Sequence, residues 1–358
     1  MRPSFSVIQP VIDEKNTQTS KRIIYNHQKK YYPYIDVYSM VTNMSLLGKL
    51  RFTDSGIIYS IRKAVVGTKL GRSLANRFLY RPGMDDKAFI IKQYRRELGE
   101  TPDLDHPRNF NEKNNWRKLH DRRPILTDMV DKYKVKSIIE QRVGAGHTFP
   151  LIGVWDRPED IDFDSLPDQF VLKTNHSGGI IACRDKAAFD REGAVAELKE
   201  LLASDYFVRF REWAYKDVER KVICEKYMGE NLTDYKNYCF NGKLMYTFVW
   251  ENRSQADGRK PVATFCGAYD RNWNRTDIEL GYLSSDKVVP CPPGYEEMVE
   301  TAEKMAKDTI FVRVDCYDFS GHIYVGEMTM YPWAGFMQFK DRKWNDRFGE
   351  LEKLPYEE

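Results

Sequence analysis

The segment IFVRVDCYDFSGHIYVGEMT, residues 310–329, leaves the chain little freedom. Two runs of alternating residues flank a turn at Asp318–Gly321, so the spacing predicts a pair of antiparallel strands. The alternation puts Arg313 and Asp315 on one face of the first strand and Glu327 and Thr329 on one face of the second. Folding at the turn brings those faces together. Two carboxylates about 4 Å apart repel by roughly 4 kcal/mol at an effective dielectric of about 20, so both stay ionised only beside a counter-charge. Magnesium is the natural one, because a few side-chain oxygens completed by water and phosphate form the usual site where phosphoryl groups move. On this segment alone, a surface Arg313–Asp315 ion pair with Glu327 in solvent fits equally well.

A second constellation is FVLKTNHSGG, in which an apolar strand carrying Lys173 runs through Asn175, His176 and Ser177 to Gly178 and Gly179, and a further strand follows. Glycines let backbone N–H groups turn toward a phosphate, and Lys173 can place a positive charge on the same oxygens. An ordinary hairpin with a solvated lysine is the plainer reading of these residues in isolation. A third is VICEKYMGENLTDYKNYCFNG: an apolar strand meets Glu225, then Lys226, Tyr227 and Met228, then Glu230, Asp234 and Lys236. That order suits a hinge beside a nucleotide, with backbone groups around Lys226–Met228 reading a base edge, an acidic residue on the ribose and Lys236 reaching the phosphates. A charged strand linking two sheets accounts for it as well.

Elsewhere the chain is less specific. Its 358 residues, 42% hydrophobic and 30% charged, suffice for two or three packed subdomains. No stretch approaches the roughly 18 apolar residues of a membrane span, and the N-terminus lacks the order of a signal peptide, so a cytoplasmic location is expected. Six cysteines without a CxxC pair argue for reduced, mostly buried thiols, and six histidines show no metal-ligand spacing. Residues 1–100 hold 18 Lys and Arg against 8 Asp and Glu, the remainder 38 against 45. Within that basic part, residues 57–81 repeat apolar positions at helical spacing among Arg and Lys. Such a helix can rest on an anionic membrane from the inner side, although docking on the protein's own core is commoner. Nothing points to a nucleic acid.

Helices are expected from Asn111 through Leu119, from a Thr127 N-cap onward, over Ala194–Leu202 and over Tyr295–Ala306. Strands are expected at Gln169–Asn175, Gly179–Arg184, Lys221–Met228, Asp234–Phe240, Lys243–Trp250 and Val262–Tyr269, with Asn241-Gly242 as a hairpin turn. Runs of strands broken by single helices argue for an α+β architecture. Asp162-Phe163-Asp164 matches the DxD of many nucleotide-sugar transferases. It follows Arg157-Pro158-Glu159-Asp160-Ile161 rather than an apolar strand, so a solvated loop is the better reading. Trp333, with Tyr331 and Phe336 close by, can stack on a sugar ring or simply pack.

Taken in order, NFNEKNNWRKLHDRRP, DKYKVKSIIEQRVG, FVLKTNHSGG, ICEKYM, DYKNYCFNGK, VRVDCYD and VGEMTMYPWAGF resemble the TupA-like ATP-grasp family, over about residues 87–355. The resemblance implies an ATP-grasp fold of two α+β subdomains gripping ATP, with a helical segment (86–164), a lid (165–228) and a metal-binding subdomain (229–358); the basic N-terminal extension (1–85) lies outside it. It further implies that Lys132, Lys173 and the 175–179 loop contact the nucleotide, that Glu225–Met228 hold adenine, and that Asp315 and Glu327 hold Mg2+, for which Mn2+ can substitute. Thr329 occupies a third metal position where many ATP-grasp enzymes have asparagine. The implied reaction joins a carboxylate, such as a sugar acid, to an amine or amino acid through an acyl phosphate, in surface-polysaccharide (capsule or teichuronic acid) assembly. The alternative is a glycosyltransferase of the same pathways that uses Asp162 and Asp164.

Overall fold

The structure is a computed structural model and describes residues 83–230, 232–253, 262–281 and 284–356. The basic stretch expected over 57–81 lies outside them. Among the described residues four helices come first: α1 (Asp86–Leu98), α2 (Phe110–His120), α3 (Ile125–Val130) and α4 (Val135–Arg142). Asn109 and Glu112 close a capping box at the start of α2, which satisfies backbone donors that a helix start leaves open. The single helix expected from Thr127 is two helices. The Asp131 backbone is extended, and its carboxylate accepts from the Tyr133 and Lys134 amides at 2.8 and 3.2 Å. A side chain that competes in this way for helical N–H groups interrupts the helix.

Strands β1 (Leu151–Trp155), β2 (Phe170–Thr174), β3 (Ile181–Cys183) and β4 (Val222–Lys226) form an antiparallel sheet in the order β1-β4-β2-β3. Between β3 and β4 lie α5 (Arg191–Leu202) and α6 (Tyr206–Phe210). Phe170 and Leu172 of β2 and Val222 and Cys224 of β4 pack with Leu198 of α5 and with Ile161, Phe163 and Leu166. The two-residue alternation therefore turns Lys173 and Glu225 to the sheet face away from α5. β1 was not foreseen, and it lies upstream of residue 165.

The second sheet is antiparallel and has the order β7-β6-β5-β8-β9, from β5 (Thr233–Phe240), β6 (Lys243–Arg253), β7 (Val262–Asp270), β8 (Phe311–Phe319) and β9 (His322–Thr329). Asn241 and Gly242 both have positive φ, 45° and 80°, as the tight turn between β5 and β6 requires. Helix α7 (Tyr295–Ala306) covers one face with Met298, Ala302 and Met305 against Cys239, Val312 and Val314. The other face carries an aromatic cluster in which Phe110 of α2 and Phe348 of α8 (Lys343–Leu351) meet Tyr238, Phe248 and Phe311. Both faces of β8 are thereby packed. None of the six cysteines is disulfide-bonded and only Cys291 is exposed. Among the described residues no helix is long and apolar enough to cross a membrane.

Helix α2 buries polar residues to a purpose. Asn111 exchanges hydrogen bonds with the Met337 backbone at 2.8 Å in each direction, Asn115 donates to Gly335 O at 2.7 Å, and Lys118 donates to Ala334 O at 2.6 Å. Arg117 donates to Met330 O and to Glu352, each at 2.7 Å. These bonds grip residues 330–337, the segment that leaves β9, in which Trp333 and Ala334 adopt left-handed φ of 54° and 52°. Left-handed non-glycine residues cost on the order of 1–3 kcal/mol each and persist only where surrounding structure holds them.

The α2–α8 contact depends on Gly349: an added Cβ would meet the Arg108 carbonyl oxygen and approach Asn109 Cα to 2.6 Å. Gly349→Ala should therefore lower stability by about 1–3 kcal/mol. Urea titration followed by tryptophan fluorescence measures this, and a wild-type midpoint in the variant would contradict the packing described.

Candidate active site

The β8–β9 ladder sets Asp315 opposite Glu327 and Arg313 opposite Thr329, the juxtaposition the alternation predicts, with a register shift after Asp315. On the other side of β8, β5 sets Lys236 opposite Asp315. Lys236 Nζ lies 2.8 Å from Asp315 Oδ2 and 2.6 Å from Asp234 Oδ2, and Arg313 grips Asp315 through Nε at 2.6 Å and Nη2 at 2.7 Å. Lys132, at the corner between α3 and α4, places Nζ 2.9 Å from Glu327 Oε1. Three carboxylates and three cations thus meet at the centre of the five-stranded sheet, with Asp234 and Asp315 buried and Glu327 half-buried.

The electrostatics follow from that crowding. Burial alone would raise the Glu327 carboxyl, but Lys132, then Arg313 and Lys236, override it and hold it down at about 2. Burial disfavours the Lys132 and Lys236 ammonium groups, yet Glu327 holds the first, and Asp234 with Asp315 the second, above the ordinary lysine value. Asp234 shifts upward, chiefly through burial, against the pull of Lys236. Its Oδ1 is buried with no hydrogen-bond partner. A bare buried carboxylate oxygen near Asp315, with Glu327 opposite Asp315 and Thr329 two positions on in β9, is an all-oxygen donor set. It fits a hard cation such as Mg2+ or Mn2+ rather than a thiophilic one.

A second cluster sits on the four-stranded sheet. Lys173 Nζ lies 2.5 Å from Glu225 Oε2 and Lys136 Nζ 2.6 Å from Glu225 Oε1. Burial works to raise the Glu225 carboxyl, and the two lysines pull it below the usual range. The field of Glu225 also reaches Lys132, so the two clusters are electrostatically joined. Sequence reading missed Lys136, because only the fold brings Glu225 of β4 against the first turn of α4.

The glycine-rich loop is more committed to the fold than expected. The Asn175 side chain donates to Glu219 O and accepts from Lys221 N, both at 2.8 Å, while its backbone carbonyl accepts from Lys132 N at 2.9 Å. Thr174 and Ser177 share a 2.5 Å hydroxyl bond, and Gly178 N donates to the Tyr206 hydroxyl at 3.1 Å. Gly179 has φ 138°, and a Cβ there would meet Leu201 at 2.8 Å. His176 is buried, donates through Nε2 to Ser204 O at 3.0 Å, and leaves Nδ1 unpartnered. Lys226 and Tyr227 line a cleft with Ile152, Gln169 and Arg184, and Met228 is half-buried beyond them. Glu230 is exposed and pairs with Arg184. Asp162 and Asp164 lie apart on an exposed turn, where Asp162 accepts from the Asp164 amide and Asp164 pairs with Arg191.

With this geometry in hand, comparison with known proteins places the chain in a family. It belongs to the TupA-like ATP-grasp family, whose model matches residues 112–353, and its two antiparallel sheets with their helices are an ATP-grasp fold. Similar solved structures include D-alanine–D-alanine ligase from Bacillus anthracis complexed with ATP, at 19% identity, TM-score 0.34, covering 58% of this chain and 57% of that one. L-amino acid ligase from Bacillus licheniformis aligns at 13% identity and TM-score 0.36, covering 76% of this chain and 55% of that one. N5-carboxyaminoimidazole synthetase from Staphylococcus aureus complexed with ADP aligns at 16% identity and TM-score 0.31, covering 57% and 44%. This chain thus spans between two fifths and three fifths of each of these proteins. No curated protein is significantly similar to it.

The buried imidazole carries a pH dependence. Burial, with Arg220 and Lys132 nearby, pushes His176 from 6.5 down to about 4 despite the Ser204 carbonyl. The unfolded chain therefore binds a proton from pH 6.5 downward that the fold refuses until about pH 4. This stabilising increment is complete above pH 6.5 and is lost as pH falls through 4. His176→Gln should remove about 2 kcal/mol of the stability lost between pH 7 and pH 5. Paired urea titrations at the two pH values measure it; an unchanged difference in the variant would contradict the assignment.

Proposed function

We propose that this chain is an ATP-dependent carboxylate–amine ligase. The observation that carries the reading is the Asp315–Glu327 pair, flanked by Lys132, Lys236 and Arg313 in an ATP-grasp fold. Asp315 and Glu327, supported by Thr329 and the bare oxygen of Asp234, would hold Mg2+ or Mn2+. When bound, the metal supplies charge neutralisation for a transferring phosphoryl group. Lys173 and the backbone of residues 175–179 take the nucleotide phosphates, with Lys132 and Lys236 beside them. Backbone groups of Lys226–Met228 border the adenine, and Glu225 aligns Lys173. Glu230, beyond that segment, would take the ribose hydroxyls on exchanging its Arg184 partner for them.

The reaction proceeds in two displacements. An oxygen of the substrate carboxylate attacks the γ-phosphorus of ATP, the bond to the bridging oxygen breaks, and ADP leaves with that electron pair. Arg313 and Lys173 stabilise the charge that develops on the phosphoryl oxygens. The amine then attacks the acyl carbon of the acyl phosphate, phosphate departs, and the amine nitrogen loses a proton. The four-stranded sheet acts as the lid, and closing it excludes the water that would hydrolyse the intermediate. We place the lid from residue 151, since β1 is a strand of that sheet, through 228.

The substrate assignment is an amino acid or amine joined to a sugar acid in surface-polysaccharide assembly. Residues 57–81 then offer contact with the anionic inner face of a membrane. The enzyme should release ADP with Mg2+ only when both a carboxylate and an amine are present, in a screen of uronic acids against amino acids and amines. Asp315→Asn and Glu327→Gln should each cut that rate by about 10²-fold or more while circular dichroism stays native. ATP consumption retained in both variants, or tight nucleotide-sugar binding without ATP turnover, would overturn the reading.

A further inference from the structure

At the opposite end of the β8–β9 hairpin from Glu327, three metal-type ligands converge from separate parts of the chain. His147 comes from the segment that enters the four-stranded sheet, Glu297 from the first turn of α7, and His322 from the first residue of β9. One ring nitrogen of each histidine and one Glu297 oxygen lie within 4.8 Å of one another. Glu297 Oε1 stands 3.5 Å from His147 Nδ1 and 3.7 Å from His322 Nδ1. The two rings are 4.8 Å apart, inclined at 40°.

Backbone carbonyls orient both rings: His147 Nδ1–H donates to Ile323 O at 2.9 Å, which leaves Nε2 as the lone pair that ring offers a cation, and Gly146 O lies 3.0 Å from His322 Nε2. When His322 donates Nε2–H to Gly146, its Nδ1 lone pair faces a carboxylate oxygen. That oxygen also accepts from Ile323 N at 3.3 Å, and a cation seated between it and the His322 Nδ1 would meet both electron pairs. The group is open on one side, with the His322 side chain 46% and the Glu297 side chain 38% exposed.

We propose that His147, Glu297 and His322 form a site for a divalent transition cation of the Zn2+ type, distinct from the carboxylate centre. Two imidazole nitrogens and one carboxylate oxygen with an open fourth position are a familiar zinc donor set, and ring nitrogens fixed by backbone carbonyls are the usual support for it. Bond lengths of about 2.0–2.2 Å place tetrahedral donors about 3.3–3.6 Å apart, a contraction that rotation of the two exposed side chains supplies. Imidazole donors disfavour Mg2+ and so separate this site from the all-oxygen one. The ion would fasten an important joint. Val325 N donates to His147 O at 2.8 Å, Thr148 bridges to Val325, and β1 begins three residues later. A bound cation therefore ties the strand entering the proposed lid to the five-stranded body.

The test is calorimetric titration of Zn2+ into untagged, chelator-treated full-length protein in excess Mg2+ without nucleotide. One ion should bind per chain, about tenfold or more weakly in His322→Gln and in Glu297→Gln, and with wild-type affinity in Glu327→Gln. Zn2+ should also raise the melting temperature of the wild type but not of His322→Gln. Both variants should melt like the wild type in chelator, because the two side chains are partly in solvent. Absence of saturable binding, wild-type affinity in both His322→Gln and Glu297→Gln, or loss of binding in Glu327→Gln instead would each overturn the proposal. Because no nucleotide is present, the result is independent of the ligase reading.

Discussion

Asp315 and Glu327 are cross-strand neighbours, and two ionised carboxylates at that spacing repel unless positive charge is built in around them. The fold supplies it from three directions: Arg313 along the same strand, Lys236 from β5, and Lys132 from the corner between α3 and α4. An arrangement of this kind contributes little to stability, because desolvating buried ion pairs consumes most of what their attraction returns. Groups so strongly perturbed and gathered in one place are the mark of a functional centre. In the proposed ligase the three cations are also groups that phosphate attracts. Their transfer from carboxylate to phosphate makes room for a doubly charged metal with little change in local charge.

Much of the remaining structure serves to hold that centre. The β5–β8–β9 ladder is packed on both faces, by α7 and by the aromatic cluster around Phe110 and Phe348, so its register has no freedom to slip. The polar side of α2 reaches the carbonyls of Met330, Ala334, Gly335 and Met337 and maintains two left-handed residues just past Thr329. The four-stranded sheet brings Lys173, Glu225 and the 175–179 loop to the same region through the Asn175–Lys132 backbone bond.

How much of this was legible follows from the range of each interaction. The β8–β9 pairing, the Asn241-Gly242 turn and helix α7 were readable because alternation, turn chemistry and helical period are local. So was the α+β class. The split between α3 and α4 was not, since Asp131 acts there through a side-chain bond that composition does not reveal. Strand β1 escaped notice because its five residues pair with β4, some seventy positions away. Helix α2 reads as polar and solvated by composition; that Asn111, Asn115 and Lys118 are buried depends on carbonyls more than 200 residues downstream. At the site, the residue types of Asp315, Glu327, Lys173 and Lys236 were visible in the pattern. The role of Asn175 as a brace for the backbone leading into β4, and the bridge from Lys136 to Glu225, needed the fold.

The central claim is that the carboxylate cluster is a metal–nucleotide centre. Calorimetric binding of a non-hydrolysable ATP analogue to the full-length protein, with and without Mg2+, tests it most directly. The account predicts saturable binding that requires Mg2+ and disappears in Asp315→Asn. Analogue binding that is indifferent to both Mg2+ and the substitution, or no binding under either condition, would contradict it.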